Sequence, residues 1–239
     1  MANVTDAVRN RALGARGFGL GAGALLLAFA LSAGLTCAPS AVQAAPAAAE
    51  SGDAALKQAV TDYNIGRYKQ ALRAALPLAE AGSADAQILV GRIYENGLGV
   101  LQDPVTGSEW YARAAQAGSA RAMVLLAYNY KLGFGTPKDG VQAFNWMQKA
   151  ADLGDAEGQF ALAMMFNEGR IVEKNDVLAF AWAEKAALQG HAEAQRFVGA
   201  CYAHGAGVSR DDAKSREWYA KAEGQGLSPQ GTVVAVPKK

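Results

Sequence analysis

A period of 36 residues limits what this chain can fold into more than any other feature. The same residue types recur at this step through most of the sequence, and all four tryptophans lie on it. The series are Trp110, Trp146, Trp182 and Trp218; Tyr94, Tyr130, Phe166 and Tyr202; Gly97, Gly133, Gly169 and Gly205; and Gly82, Gly118, Gly154, Gly190 and Gly226. Repeats of this length are typical of solenoids, in which similar units stack and bury a shared core.

Each unit has the sequence pattern of a helical hairpin. In the first unit Ala86, Val90 and Ile93 recur at helical spacing, and Gly97 then interrupts the helix. Asp103 follows at the position of an N-cap for a second helix. Capping residues also precede every first helix, at Ser83, Ser119, Asp155 and His191. Because one unit cannot bury its own apolar face, the tryptophans are expected to lie in the core between units.

The repeated residues resemble the Sel1-like repeat, a relative of the tetratricopeptide repeat. The last unit carries the signature of that repeat at Ala192, Ala194, Gly199, Tyr202, Gly205, Gly207, Val208, Asp211, Trp218, Tyr219, Lys221 and Ala222. The third unit departs from it, with Ile171 for the second loop glycine and Asn175 for the aspartate, so its loop is expected to bend differently. The resemblance implies an all-α fold, a right-handed α-α superhelix (solenoid) of Sel1-like and tetratricopeptide-like hairpins.

A shorter unit precedes the four full ones. Tyr63, Gly66 and Tyr68 match the interhelical segment of an ordinary tetratricopeptide repeat, and this unit is expected to cap the stack. The expected organisation is a signal peptide at 1–44, a flexible linker at 45–53, the capping unit at 54–82, repeats at 83–118, 119–154, 155–190 and 191–226, and a flexible tail at 227–239.

The first 44 residues have the block order of an export signal. Arg9, Arg11 and Arg16 come first, an apolar stretch from Phe18 to Leu35 follows, and small residues end the segment at Ala44. An uncleaved membrane anchor is one alternative, since the apolar stretch is close to the shortest that spans a bilayer. A lipoprotein attached through Cys37 is another. The expected location is the periplasm or the exterior, with membrane contact only through a retained signal or a membrane-protein partner.

Composition excludes several functional classes. The chain has 239 residues, a formal net charge of +1 and 51% hydrophobic residues, which is typical of a folded protein and not of a nucleic-acid-binding one. Its two cysteines cannot form a disulfide framework.

The residues for catalysis are few, and no enzyme is predicted. His191 occupies a helix-cap position, His204 lies on a variable face, and Cys201 has the apolar neighbours of a buried thiol. The recurring Gly-x-Gly pairs follow helices and are interpreted as turns, not phosphate loops. No catalytic residue, cofactor or metal site is therefore assigned. Some Sel1-like proteins are linked to β-lactam binding or hydrolysis, which remains the enzyme alternative, although this chain lacks their cysteine pattern.

The binding surface is predicted from first-helix positions that differ between units while the packing positions stay the same. The resemblance to the tetratricopeptide fold places these positions on the concave side. Glu95 and Lys131 are adequately explained as solvated charges, whereas recurring large apolar groups suggest a contact patch. The predicted contacts for a protein or peptide partner are Arg92, Tyr128, Leu132, Phe160 and Met164.

The resemblance also implies a kind of function, that of a binding scaffold in the bacterial cell envelope. Exported members of the family include inhibitors that hold a sensor kinase inactive through its periplasmic domain. A structural role in envelope or polysaccharide assembly is the alternative within binding functions.

Overall fold

The computed structural model describes residues 44–226, with side chains from residue 52 onward. Every regular element in this range is an α-helix, and there are ten. They are α1 (Ala44–Asn64), α2 (Tyr68–Glu80), α3 (Ala84–Asn96), α4 (Pro104–Gln116), α5 (Ala120–Leu132), α6 (Gly140–Asp152), α7 (Ala156–Glu168), α8 (Asp176–Leu188), α9 (Ala192–His204) and α10 (Asp212–Glu223). None of them is long and apolar enough to span a bilayer. The predicted signal at 1–44, except Ala44, and the predicted tail at 227–239 lie outside the described residues.

The helices stack in chain order. Helices α3 and α4 form unit 1, α5 and α6 unit 2, α7 and α8 unit 3, and α9 and α10 unit 4; in each unit the two helices pack closely together. The second helix of each unit then packs on the first helix of the next. The buried side chains form three clusters along the stack. The all-α superhelix predicted from the repeats is confirmed.

The first helix differs from the sequence expectation at its beginning. Helix α1 begins at Ala44 and therefore includes residues 45–53, which were expected to be a flexible linker. This stretch is rich in alanine, the residue with the highest helix propensity. Its proline, Pro46, lies in the first helical turn, where the absent N–H has no helical partner to lose.

The predicted capping residues bind the helix ends as expected. The Ser83 Oγ accepts a hydrogen bond from the Ala86 N–H, and the Asp155 carboxylate accepts one from the Gly158 N–H at 2.8 Å. Asp103, Asp139, Asn175 and Asp211 cap the second helices in the same way. Because these bonds satisfy N–H groups that have no partner inside the helix, they determine where each helix begins.

The second loop glycine, where a unit has one, is needed for a close contact with the preceding unit. A Cβ atom at Gly135 would lie 2.0 Å from the Pro104 carbonyl oxygen at the beginning of α4. In unit 3, where Ile171 replaces this glycine, the residue opposite is itself a glycine, Gly140, and a Cβ atom there would lie 2.9 Å from the Ile171 Cδ1. In unit 3 the glycine therefore lies on the other side of this interface, where it leaves room for the Ile171 side chain.

A similar exchange of size occurs inside the units. A Cβ atom at Gly91 on α3 would lie 2.6 Å from the Tyr111 ring on α4, and one at Gly199 would lie 3.0 Å from the Tyr219 ring. In units 2 and 3 the corresponding pairs are Ala127 with Met147 and Ala163 with Ala183. Glycine thus occurs on the first helix wherever the second helix carries tyrosine. These small residues bring together the two helices of one unit.

Buried glutamines link consecutive units. The Nε2 atoms of Gln87, Gln159 and Gln195 each donate to a carbonyl at the end of the preceding second helix. In the last two the Oε1 atom also accepts a hydrogen bond, from Gln189 and Gln225 respectively, at 2.8 Å. The Gln87 Oε1 is buried and has no hydrogen-bond partner among the described residues. Unit 1 therefore lacks one bond that its later counterparts have.

The four tryptophans differ in burial. Trp110 is 7% exposed and Trp218 is 9% exposed, as expected for the core. Trp146 and Trp182 pack against the core clusters but are only half-buried, so they are less enclosed than expected. The Nζ of Lys149 lies 4.1 Å from the Trp146 ring centroid, and Lys185 stands in the same position over Trp182. A cation three residues later also lies over the buried rings of Trp110 and Trp218, so this contact recurs in all four units.

Candidate protein-binding surface

The first helices form one continuous side of the stack, here called the first-helix face. Its members contact each other directly across units, between α1 and α3 and between α5 and α7, in addition to contacting their own second helices. Since the helix layer with the closer spacing lies on the inside of a curved stack, this geometry supports a concave first-helix face. The variable positions predicted from the sequence lie on these helices, some exposed, such as Leu132, and some buried, such as Ile88.

Side chains from three first helices meet at the centre of the face. The Tyr128 hydroxyl on α5 donates to the Glu157 Oε1 on α7 at 2.5 Å. The other carboxylate oxygen, Glu157 Oε2, lies 3.0 Å from the Nε2 of His191, the cap of α9. His191 accepts a hydrogen bond from the Ala194 N–H through Nδ1, as its predicted cap role requires, so Nε2 carries the proton that reaches Glu157. This network joins units 2, 3 and 4.

The network shifts the pKa values of its members. The hydrogen bond from His191 lowers the pKa of Glu157, burial opposes this, and the bond from Tyr128 adds to it. Burial and the bond to Glu157 raise the pKa of Tyr128. Both shifts keep Tyr128 a neutral donor and Glu157 an ionised acceptor, which is the pairing that the geometry shows.

Phe160 extends this centre with an aromatic surface. Its ring centroid lies 4.9 Å from that of His191 and 6.3 Å from that of Phe197 on α9. Met164, one turn later on α7, is half-buried. Of the five predicted contacts, Tyr128 and Phe160 are therefore brought into one cluster through His191 and Glu157. Half-buried aromatic groups that keep an open edge are the type of residue most often found at the centre of protein interfaces.

Leu132 and Arg92 lie away from this cluster. Leu132 is the last residue of α5 and is 69% exposed, which places it at one edge of the face. Arg92 is half-buried on α3 and lines a cleft formed with α1. The cleft also contains Ile88, one of the variable positions, together with Lys57 and Arg121. The five predicted residues thus share the face but divide into a central cluster, an edge and a cleft.

Sequence reasoning missed part of this surface and misread one residue. Glu157 was not singled out, although the same position is charged in every unit, as Asp85, Arg121 and Glu193. Glu95 was interpreted as a solvated charge, which is wrong. Its carboxylate accepts hydrogen bonds from the Tyr111 hydroxyl at 2.9 Å and the Asn129 amide at 3.0 Å. Glu95 therefore holds units 1 and 2 together and is not available to a partner.

Cys201 and His204 differ in their exposure to solvent. Cys201 is 4% exposed, and burial, with the nearby Asp176 charge, raises the pKa of its thiol to about 11. A thiol in this state is a poor nucleophile at neutral pH. His204 is exposed at the end of α9. Within residues 44–226 no three His, Cys, Asp or Glu side chains are grouped as metal ligands would be.

Comparison with known proteins identifies the repeat. The model of the Sel1 repeat matches four consecutive segments, each beginning one residue after the unit boundary expected from sequence. The matched segments are 84–119, 120–155, 156–191 and 192–227. No curated protein matches this sequence.

Two solved structures are similar to this chain in fold and sequence. A Sel1 repeat protein from Oxalobacter formigenes is 29% identical, with a TM-score of 0.66 over 72% of this chain and 70% of the other. A protective antigen of uropathogenic Escherichia coli, described as having an SLR fold, is 32% identical, with a TM-score of 0.67 over 78% of this chain. The match spans only 41% of the length of that antigen.

Proposed function

Because the chain belongs to the Sel1 repeat family, we propose that it is a non-catalytic scaffold that binds a protein or peptide along its concave first-helix face. Sel1 repeat proteins are generally protein-interaction scaffolds. The observation that carries the proposal is the cluster of Tyr128 and Phe160 at the centre of that face. Both are large, only half-buried, and held in place by His191 and Glu157.

The geometry favours this cluster as the anchor of the interface. The bond from Tyr128 to Glu157 and the packing of Phe160 on His191 restrict both side chains before a partner arrives. Side chains that are already restricted in the free protein lose less conformational entropy on binding. Leu132, exposed at the edge, adds apolar area that a partner would cover.

The proposed place of action is the bacterial cell envelope. It rests on the export signal expected in residues 1–44, and the similarity to a protein described as a protective antigen supports it. We propose that the bound partner is an envelope protein such as the periplasmic domain of a sensor kinase, whose activity the scaffold would control. An assembly factor for envelope polymers is the alternative. The intact mass of envelope-fraction protein tests the location: cleavage after Ala44 supports export, whereas a cytoplasmic full-length chain contradicts it.

Photocrosslinking tests the binding face. A photoreactive amino acid replaces Met164 in one variant and Val141 in another; Val141 is 62% exposed on the second helix α6. Position 164 is expected to capture a defined envelope protein and position 141 is not. Capture from 141 alone would place the partner on the opposite side.

A pair of double variants then measures the energetic contribution of the cluster. Tyr128→Ala with Phe160→Ala is expected to weaken binding of the captured partner about 30-fold, corresponding to about 2 kcal/mol. The control is Val105→Ala with Val141→Ala, which removes exposed apolar groups from α4 and α6 and should leave affinity unchanged. Circular dichroism must show intact helices in both. Equal affinities for the two variants would refute the role of the cluster.

A further inference from the structure

A cleft of about 740 Å³ lies between α1, α3 and the beginning of α5. Its apolar lining comes from Leu56 and Val60 on α1 and from Ile88 and Leu89 on α3. Val60 is 41% exposed, so part of the apolar lining is open to solvent. A concave, partly apolar space of this volume is typical of ligand-binding sites.

The charged residues of the cleft are mainly cations. Lys57, Arg92 and Arg121 come from three different helices, and Asp85 is the single acidic residue in the lining. Among the described side chains, none of these four forms an ion pair. The nearby Glu95 does not neutralise them by direct contact, since its two oxygens accept bonds from Tyr111 and Asn129. Three cations thus converge on an apolar space without carboxylate partners.

Carboxylates lie farther along the first-helix face, from its centre to the beginning of α9. Glu157 and Glu193 both lie beside His191, at 3.0 Å and 3.5 Å from its ring nitrogens. The carboxylates of an acidic ligand would therefore be attracted to Lys57, Arg92 and Arg121 and disfavoured beside Glu157 and Glu193. The charge of the first-helix face therefore changes along the stack.

We propose that this cleft binds an acidic segment of the partner in extended form, with apolar side chains against Leu56, Val60 and Ile88 and carboxylates on Lys57, Arg92 and Arg121. The proposal rests on the proposed function and specifies the chemistry of the partner. Guanidinium groups suit this role because they bind carboxylates through two parallel hydrogen bonds. The segment then continues along the face toward Phe160.

The lining favours a peptide over a nucleic acid. A nucleic acid binds through its phosphates, and proteins that bind it present a basic stripe along their surface. Here the cations line the same cleft as the apolar side chains, and carboxylates lie farther along the face at Glu157 and Glu193. Alternating apolar and acidic side chains of an extended peptide match this lining, because they can contact its apolar side chains and its cations at the same time.

Selection from a random library of seven-residue peptides tests the proposal. The full chain, expressed with its own N-terminal segment, is immobilised through a C-terminal tag, and the enriched peptides are measured by fluorescence anisotropy. We expect enrichment of Asp and Glu together with Leu, Ile, Val or Phe, and affinity that falls as salt concentration rises. Lys57→Glu with Arg121→Glu, both exposed positions, should weaken the best peptide at least tenfold.

A charge-matched variant serves as the control. Arg73→Glu with Lys138→Glu changes the net charge equally at exposed positions outside the cleft and should leave affinity within twofold. Enriched peptides without acidic residues, or equal weakening by both double variants, would overturn the assignment of the cleft. If such peptides lose binding with Tyr128→Ala and Phe160→Ala, the proposed function still stands. A selection that enriches nothing would contradict both.

Discussion

The unpaired oxygen of Gln87 predicts that Ala117→Gln stabilises the protein. In units 3 and 4 the equivalent oxygens accept hydrogen bonds from Gln189 and Gln225 at 2.8 Å. Ala117 occupies the matching position in unit 1, at the end of α4. Its backbone angles, φ −76° and ψ 1°, are nearly those of Gln189, φ −80° and ψ −1°, so a glutamine at this position can reach Gln87.

The magnitude follows from the state of the oxygen. A buried acceptor without a partner costs about 1 to 3 kcal/mol, and a new hydrogen bond contributes about 0.5 to 1.5 kcal/mol net. Ordering the new glutamine costs up to about 1.5 to 2 kcal/mol in side-chain entropy. Gln189 also donates to the Gly154 carbonyl at 3.0 Å, and the equivalent carbonyl in unit 1 is that of Gly82. We expect a gain of about 1 kcal/mol, or about 2 to 4 °C in Tm for a chain of this size.

Urea denaturation followed by far-ultraviolet circular dichroism measures the effect. The midpoint should rise while the slope of free energy against urea stays constant. The matched control is Leu153→Gln, at the same position in unit 2 and with nearly the same backbone angles, φ −78° and ψ −1°. Its partner position holds Met123, which has no amide oxygen, so no gain is expected. Equal stability of Ala117→Gln and wild type, or an equal gain in the control, would refute the reasoning.

Three further predictions test packing and charge. Gly91→Ala should destabilise the protein by about 1 to 3 kcal/mol because the new Cβ atom would clash with the Tyr111 ring. Adding Tyr111→Met should restore part of the lost stability. If urea denaturation shows no such rescue, the pairing of glycine with tyrosine is not a matter of size. Trp110→Ala should lower the free energy of unfolding by about 3 to 5 kcal/mol and Trp146→Ala by clearly less, since Trp110 is buried and Trp146 is half-buried. Equal losses of stability would mean that burial of the ring does not determine the cost. The lowered pKa of Glu157 means that its ionised form stabilises the fold above its ordinary value of 4.5, and this contribution is lost as pH falls below it. Unfolding free energy should therefore fall less steeply on acidification in Glu157→Gln than in wild type, and parallel pH curves would contradict the role of the network.

Much of the molecule follows from interactions between residues close in the chain. Each cap binds an N–H group two or three residues away, as Ser83 and Asp155 show, and left-handed glycines such as Gly97 end the first helices. These contacts depend only on local residue types, so one sequence reveals the hairpins and their period. The same locality explains the error at residues 45–53: the alanines there have a high helix propensity, which the linker interpretation gave too little weight.

The binding surface depends on contacts that only the stacking of units creates. Tyr128 and Glu157 are 29 residues apart, and Glu95 and Asn129 are 34 apart, so neither pair can be read from local pattern. Repeat alignment shows which positions vary, but a variable position such as Glu95 can face the neighbouring unit as easily as the solvent. The cleft likewise requires α1, α3 and α5 to meet at a particular spacing. The sequence alone determined the units and their order. The tertiary structure decided which charges are buried, paired or left open to a partner. These outcomes depend on the distance and rotation between neighbouring units, which result from packing of side chains far apart in the chain.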